Sequence, residues 1–121
     1  KGWLAHLKLS PAQIALMGFS QGAAIVFTLL SEEPGLFGRC AGLAGYLPSG
    51  IEQILTPGRL SGKEIFIANG SKDETVSVVK AQEAAHTLKQ AGANVVYCED
   101  NVGHKLGASC QRGLASFFNP D

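Results

Sequence analysis

Short apolar runs and longer amphipathic runs take turns along the chain. Gln13-Ile14-Ala15-Leu16-Met17 follows Ser10-Pro11 and stops at Gly18, which predicts a strand. Gln21 to Glu33 places Ala24, Val26, Phe27 and Leu30 for one buried face, and Pro34-Gly35 ends it, which predicts a helix. Cys40 to Ala44 is small and apolar and predicts a second strand. Tyr46 to Gly62 carries Pro48, Gly50, Pro57 and Gly58, so it reads as loop with one short helix around Ile51–Leu55. Glu64 to Ala68 predicts a third strand, closed by Asn69-Gly70. Val78 to Gln90 spaces Val78, Ala81, Ala85 and Leu88 along one helical face, with Gly92 as its stop. Asn94 to Cys98, rich in Val and Tyr, predicts a fourth strand, and Gly107 to Phe118 a closing helix.

This alternation is the α/β pattern with a mainly parallel sheet. Its strands are apolar on both faces, as strands are when helices cover both sides. In such sheets ligands bind beyond the carboxyl ends of the strands. Any chemically capable residues are therefore expected just after the strands.

Composition narrows the picture. A length of 121 residues suits one domain, 1–121, and 45 % hydrophobic against 17 % charged residues is a globular balance. The formal net charge is zero, which argues against nucleic acid or an anionic membrane surface as partner. No apolar run approaches the ~20 residues of a membrane span. The chain opens at Lys1-Gly2-Trp3-Leu4 without Met or a leader pattern, and is expected to be a piece of something longer. Three cysteines, Cys40, Cys98 and Cys110, form no CxxC pair. They read as buried, reduced thiols of a cytoplasmic protein, rather than as a zinc site or a disulfide framework.

Three polar residues follow three predicted strands. Ser20 lies in Gly18-Phe19-Ser20-Gln21-Gly22, a G-x-S-x-G between a strand and a helix. That motif makes a sharp turn with the serine at its tip, both glycines being small so that strand and helix approach. The N–H of Gln21 then opens the helix, where it suits an oxyanion. Asp73 follows the third strand, with Glu74 beside it as a competing acid, and His104 follows the fourth. His86, in mid-helix, and His6 read as ordinary structural or surface histidines. A serine hydroxyl needs an imidazole to take its proton and a carboxylate to hold that imidazole in one tautomer. The order Ser20, Asp73, His104 is that of α/β-hydrolase triads.

Met17-Gly18-Phe19-Ser20-Gln21-Gly22-Ala23-Ala24 and Gly45-Tyr46-Leu47-Pro48 resemble the phospholipase/carboxylesterase family, which includes the acyl-protein thioesterases. Ile65 to Val76 is similar to the family's acid loop, with Asn69 where a His is common, and Val102 to Leu106 to its Gly-His segment. The resemblance implies the α/β-hydrolase fold, nucleophile Ser20, acid Asp73, base His104, an oxyanion donor at Gln21 N–H, no cofactor and no metal. It implies two-step hydrolysis of esters or thioesters through an acyl-enzyme.

The resemblance covers the C-terminal part of such an enzyme. Lys1–Leu9 looks like the tail of the helix before the nucleophile strand. The family's earlier strands, and the His-Gly loop that gives the second oxyanion N–H, have no counterpart before Gln13. One side of the Gln13–Met17 strand is therefore expected to be an open apolar edge, fit to pair with another chain or with an N-terminal half. The chain by itself is expected to be weak or inactive. Leu47, Ile51, Ile54 and Leu55 could wall an acyl pocket or simply cap the sheet edge, and a loop this short favours small or medium soluble acyl esters. Two further readings stand beside this one: another α/β hydrolase, of dienelactone-hydrolase or peptidase type, and a non-catalytic fragment or interaction module keeping the fold.

Overall fold

A computed structural model describes residues 14–119. The helix tail expected at Lys1–Leu9, His6 and the strand start at Gln13 lie outside the described residues. Four strands form one sheet: β1 (Ala15–Phe19), β2 (Arg39–Leu43), β3 (Glu64–Gly70) and β4 (Asn94–Asp100). They run parallel in sequence order, with Leu16 opposite Cys40, Cys40 opposite Ile65 and Ile65 opposite Val95. Three helices connect or close them: α1 (Gln21–Glu32), α2 (Val78–Gln90) and α3 (Ala108–Phe118).

Alternation along the strands sorts the core into two faces. Cys40, Ile65 and Ile67 point to the side of α1 and α2, where they pack with Phe27, Leu30, Ala81 and Leu88. Ala41, Leu43, Phe66 and Ala68 point to the other side and pack with Cys110 and Phe117 of α3. The central strands are thus buried on both faces, which is why they are continuously apolar. Arg39 closes the second layer by donating from Nη1 to the Phe117 carbonyl with its guanidinium over the Phe117 ring.

β1 is an edge strand among the described residues, paired only to β2. Met17 and Phe19, on the α3 side of the sheet, are 58 % and 44 % exposed, and Ile25 and Leu29 of α1, which packs on the opposite side, are exposed as well. This is the open apolar edge expected above.

The structure narrows one open alternative and corrects two expectations. Ile51 and Leu55 are buried in the core layer below α1 and α2, so they cap the sheet rather than wall a pocket. The expected helix there is one 3₁₀ turn, Ile51–Gln53. The cysteines are not all reduced: Cys98 and Cys110 form a disulfide with their Cα atoms 5.7 Å apart. They lie 12 residues apart, on β4 and α3, and α3 folding back over the sheet is what brings them within bonding reach. Cys40 is the buried free thiol, and its burial pushes its pKa up to about 12.

Candidate active site

The carboxyl ends of β1, β3 and β4 each deliver one side chain to one place. Ser20 follows β1 directly, with φ 57° and ψ −117°, a strained conformation for a residue with a Cβ. Its N–H donates to the Leu43 carbonyl (2.7 Å), so the turn is tied to the end of β2. The turn depends on Gly18, where a Cβ would overlap the backbone of Gly22 and Ala23. Gly22 differs from expectation: a Cβ there meets nothing among the described residues, so only the first glycine is required by close approach. Ala44, after β2, is the other non-glycine residue at positive φ among the described residues (φ 52°). Positive φ at a residue with a Cβ therefore occurs just after two neighbouring strands, β1 and β2.

Asp73 lies in the turn after β3 and is 8 % exposed. Its Oδ1 accepts the N–H groups of Thr75 and Val76, both at 2.8 Å. Its Oδ2 lies 2.7 Å from His104 Nδ1. Glu74, the competing acid, is exposed and takes no part in these bonds. Burial alone raises the Asp73 pKa, but the bonds from His104, Val76 and Thr75 together outweigh it and hold the carboxyl below its usual value. An ionised carboxylate only accepts, so Nδ1 of His104 carries the proton. Nε2 is then an acceptor in the neutral ring, and it lies 3.0 Å from Ser20 Oγ. The structure thus brings Ser20, His104 and Asp73 into one hydrogen-bonded line. Gln21 sits at the start of α1, where the helix leaves its first N–H groups without intrahelical acceptors.

Because folding lowers the Asp73 pKa, its ionised form stabilises the fold. That contribution is fully present above the ordinary aspartate pKa of about 4 and is lost as pH falls through the lowered folded value. The stability gap between wild type and Asp73→Asn is accordingly expected to be widest near neutrality and to narrow in acid. Urea midpoints at a series of pH values check this; a gap that stays constant down to pH ~2 would contradict it.

Several contacts holding the site were invisible in the sequence. The Phe19 ring packs on the His104 imidazole, with centroids 5.0 Å apart. Asn69 is buried, and its amide donates to the Val76 and Gly70 carbonyls, bracing the acid turn. The acid and base loops are zipped by backbone: Ser71 N–H donates to Asp100 O (2.8 Å) and Lys72 N–H to Val102 O (2.9 Å). The carboxylate of Asp100 accepts the Cys110 N–H (2.9 Å) at the start of α3. Phe19 and Asn69 lie in segments quoted above, yet none of these contacts is written in a motif; each depends on which strand ends become neighbours.

Gly70 is where that zip requires a missing Cβ, which would overlap the carbonyl oxygens of Val102 and Gly103. Gly70→Ala must part the two loops. We expect it to cost about 1–3 kcal/mol by overpacking and to slow reaction at Ser20 about 100-fold by moving His104 from Asp73. Denaturant unfolding and active-site labelling measure the two effects; an unchanged labelling rate would contradict the second.

An apolar groove of about 290 Å³ starts at Gln21 and runs past Ala24, Ile25, Leu29, Tyr46 and Pro48. A larger groove of about 610 Å³, between Leu47–Glu52 and α2, touches none of Ser20, Asp73 and His104. Tyr46 and Leu47, with Thr75 and Val76 of the acid loop, line a third of about 440 Å³. Leu47 lines two of these three grooves, and Ile51 and Leu55 line none of them.

The sequence profile described as Phospholipase/Carboxylesterase matches residues 2–118. The Esterase YpfH of Escherichia coli (strain K12) is 31 % identical over 105 residues, covering 86 % of this chain and 43 % of that protein. The crystal structure of the Bacillus cereus carboxylesterase superposes with a TM-score of 0.81 at 24 % identity, covering 99 % of this chain and 56 % of that one. The Zea mays acyl-protein thioesterase 2 superposes with a TM-score of 0.76 at 22 % identity, covering 98 % of this chain and 62 % of that one. The chain therefore spans about half the length of the relatives it matches. These superpositions show the α/β-hydrolase fold, with the four strands forming the C-terminal part of its sheet.

Proposed function

Since the chain belongs to the phospholipase/carboxylesterase family of α/β-hydrolases, we propose that it carries the catalytic residues of a serine hydrolase acting on carboxylic esters or thioesters. One observation carries this reading: the unbroken line from Ser20 Oγ through the His104 imidazole to a buried Asp73 carboxylate. On this reading residues 1–121 are part of one such domain. His104 Nε2 takes the hydroxyl proton as Ser20 Oγ attacks the acyl carbonyl. The tetrahedral oxyanion forms against the Gln21 N–H, helped by the positive end of α1. His104 then returns the proton to the leaving alcohol or thiol, leaving an acyl-enzyme on Ser20. Water activated by the same imidazole releases the acid. Asp73 keeps the imidazole in the tautomer with its proton on Nδ1 and stabilises the imidazolium formed on attack. The strained Ser20 backbone holds Oγ toward the imidazole rather than folded against its own helix.

The groove at Gln21 fits the apolar part of an acyl ester of small or medium size. No cofactor or metal enters this scheme. Among the described residues no helix is long and apolar enough to cross a membrane. A cytoplasmic location belongs to the same proposal, as does pairing of the open β1 edge with an N-terminal half or another chain.

A fluorophosphonate probe tests the reading. The adduct is expected on the peptide containing Ser20, located by mass spectrometry, and competition by a short soluble acyl ester is expected to slow it. Folded protein that takes no adduct, or takes it elsewhere, would overturn the assignment. Faster hydrolysis of emulsified long-chain esters than of short soluble ones would overturn the substrate size.

A further inference from the structure

His104 sits in a loop whose two ends are joined covalently. Cys98 near the end of β4 and Cys110 in the first turn of α3 are bonded at a sequence separation of 12, and the chain between them contains the whole 101–107 segment. Within that segment the backbone bonds are short-range, Val102 N–H to Asp100 O and Lys105 N–H to Gly103 O, both 2.9 Å. Its non-covalent tethers are the backbone bonds from Ser71 and Lys72, the Ser71–Asn101 side-chain bond, Asp100 on the Cys110 N–H, Gln111 on the Leu106 carbonyl, the packing of Leu106 on the core, and the contacts of His104 itself with Asp73, Ser20 and Phe19. The bridge is the covalent tether, and it fixes where α3 starts relative to β4. Closing a loop removes conformations in which its ends part.

We propose that the Cys98–Cys110 bridge is a redox-operated latch on His104. Closed, it holds the imidazole on Asp73 and Ser20; opened by a dithiol, it lets the base loop drift and lowers turnover. This rests on the reading of His104 as the base. Cys110 is buried and Cys98 only partly so, which makes the Cys98 sulfur the point of attack. A thiolate of the reductant bonds to Cys98 Sγ as the protein S–S bond breaks. The electron pair leaves on Cys110, in the first turn of α3, where helix N–H groups favour negative charge, and is then protonated. The reductant's second thiol displaces Cys98, giving two protein thiols and a cyclic disulfide of the reductant. Two electrons and two protons enter the protein. Bridges in reducing compartments are characteristically transient and sensing ones, so a cytoplasmic protein of this design would rest open and close under oxidation.

The test uses the chain oxidised with oxidised glutathione and then reduced with dithiothreitol. Alkylation in denaturant followed by intact mass counts thiols: one expected when closed, from Cys40, and three when open. The far-downfield proton signal of His104 Nδ1–H reports its bond to Asp73 without requiring activity. The rate of fluorophosphonate labelling reports the nucleophile. Reduction is expected to broaden or remove the signal and to slow labelling about 10- to 100-fold, reversibly, with far-ultraviolet circular dichroism unchanged. The double variant Cys98→Ser, Cys110→Ser is expected to stay in the slow state and to ignore dithiothreitol, while Cys40→Ser switches normally.

Three thiols after oxidation would overturn the proposal. So would a signal and labelling rate that survive reduction, a double variant still sensitive to dithiothreitol, or global unfolding on reduction, which would make the bridge a simple staple. A downfield signal that follows the redox state, with no labelling in either state, would support the latch and overturn the hydrolase reading.

Discussion

Ser20→Ala and His104→Ala are each expected to lower ester hydrolysis by about 10⁶-fold, and Asp73→Asn by about 10⁴-fold. The unequal sizes follow from the geometry. On the proposed reading Ser20 Oγ carries the acyl group, and His104 Nε2, 3.0 Å from that oxygen, takes its proton, so the loss of either removes the step. Asn at position 73 keeps two hydrogen-bonding atoms in place. It offers an N–H to Nδ1, however, and so favours the tautomer with the proton on Nε2, which cannot accept from Ser20. Because the three act as one line, the losses will not add: Ser20→Ala combined with His104→Ala is expected to be no slower than either alone. Steady-state rates of all four variants, at one chain length and above the buffer rate, decide the matter. A double variant slower than both singles by the product of their losses would mean that the serine and histidine serve separate steps.

How far such an outcome was legible in the sequence depends on the residue. Val78–Gln90 was read with the bounds the structure gives, because its small apolar residues recur at helical spacing and Gly92 ends it. The strand ends were not. Gly18 reads as a stop, yet β1 runs through it to Phe19, since Gly18 pairs with Gly42 and its missing Cβ lets the chain turn against Gly22. Glu99 and Asp100 read as loop, yet β4 continues through them because their partners Asn69 and Gly70 continue β3. Ladder pairing overrides local propensity, and pairing is not written in either segment alone. Ser20, Asp73 and His104 could be chosen because each follows a strand, a rule that needs topology but no distances. The disulfide could not. Two cysteines on a strand and on the helix that folds back over it carry no local signature, and the sparse, odd cysteine set argued for thiols.

Supplying in frame, ahead of Lys1, an N-terminal segment of the kind its relatives carry is expected to raise turnover by about 10²–10³-fold. Two features of the described residues motivate this. One is the Gln21 N–H at the start of α1, the single oxyanion donor proposed in this chain, the resemblance placing the family's second donor in a loop ahead of its residues; a single donor is worth about that factor. The other is β1, whose outer edge is unpaired while Met17 and Phe19 stand 58 % and 44 % exposed. Phe19 also packs on the His104 ring, so whatever covers Phe19 also restrains the base. A strand added beside β1 would bury this edge and reduce self-association. The two effects separate by measurement. An oxyanion donor acts only in the transition state and raises kcat with KM little changed, whereas a completed acyl groove lowers KM. Burial of the edge shows as a higher unfolding midpoint and a smaller sedimentation coefficient at high concentration, whatever the kinetics. Equal kcat for the short and extended chains would mean that the Gln21 N–H suffices, or that another group in this chain completes the hole, and the incomplete-site reading would fall.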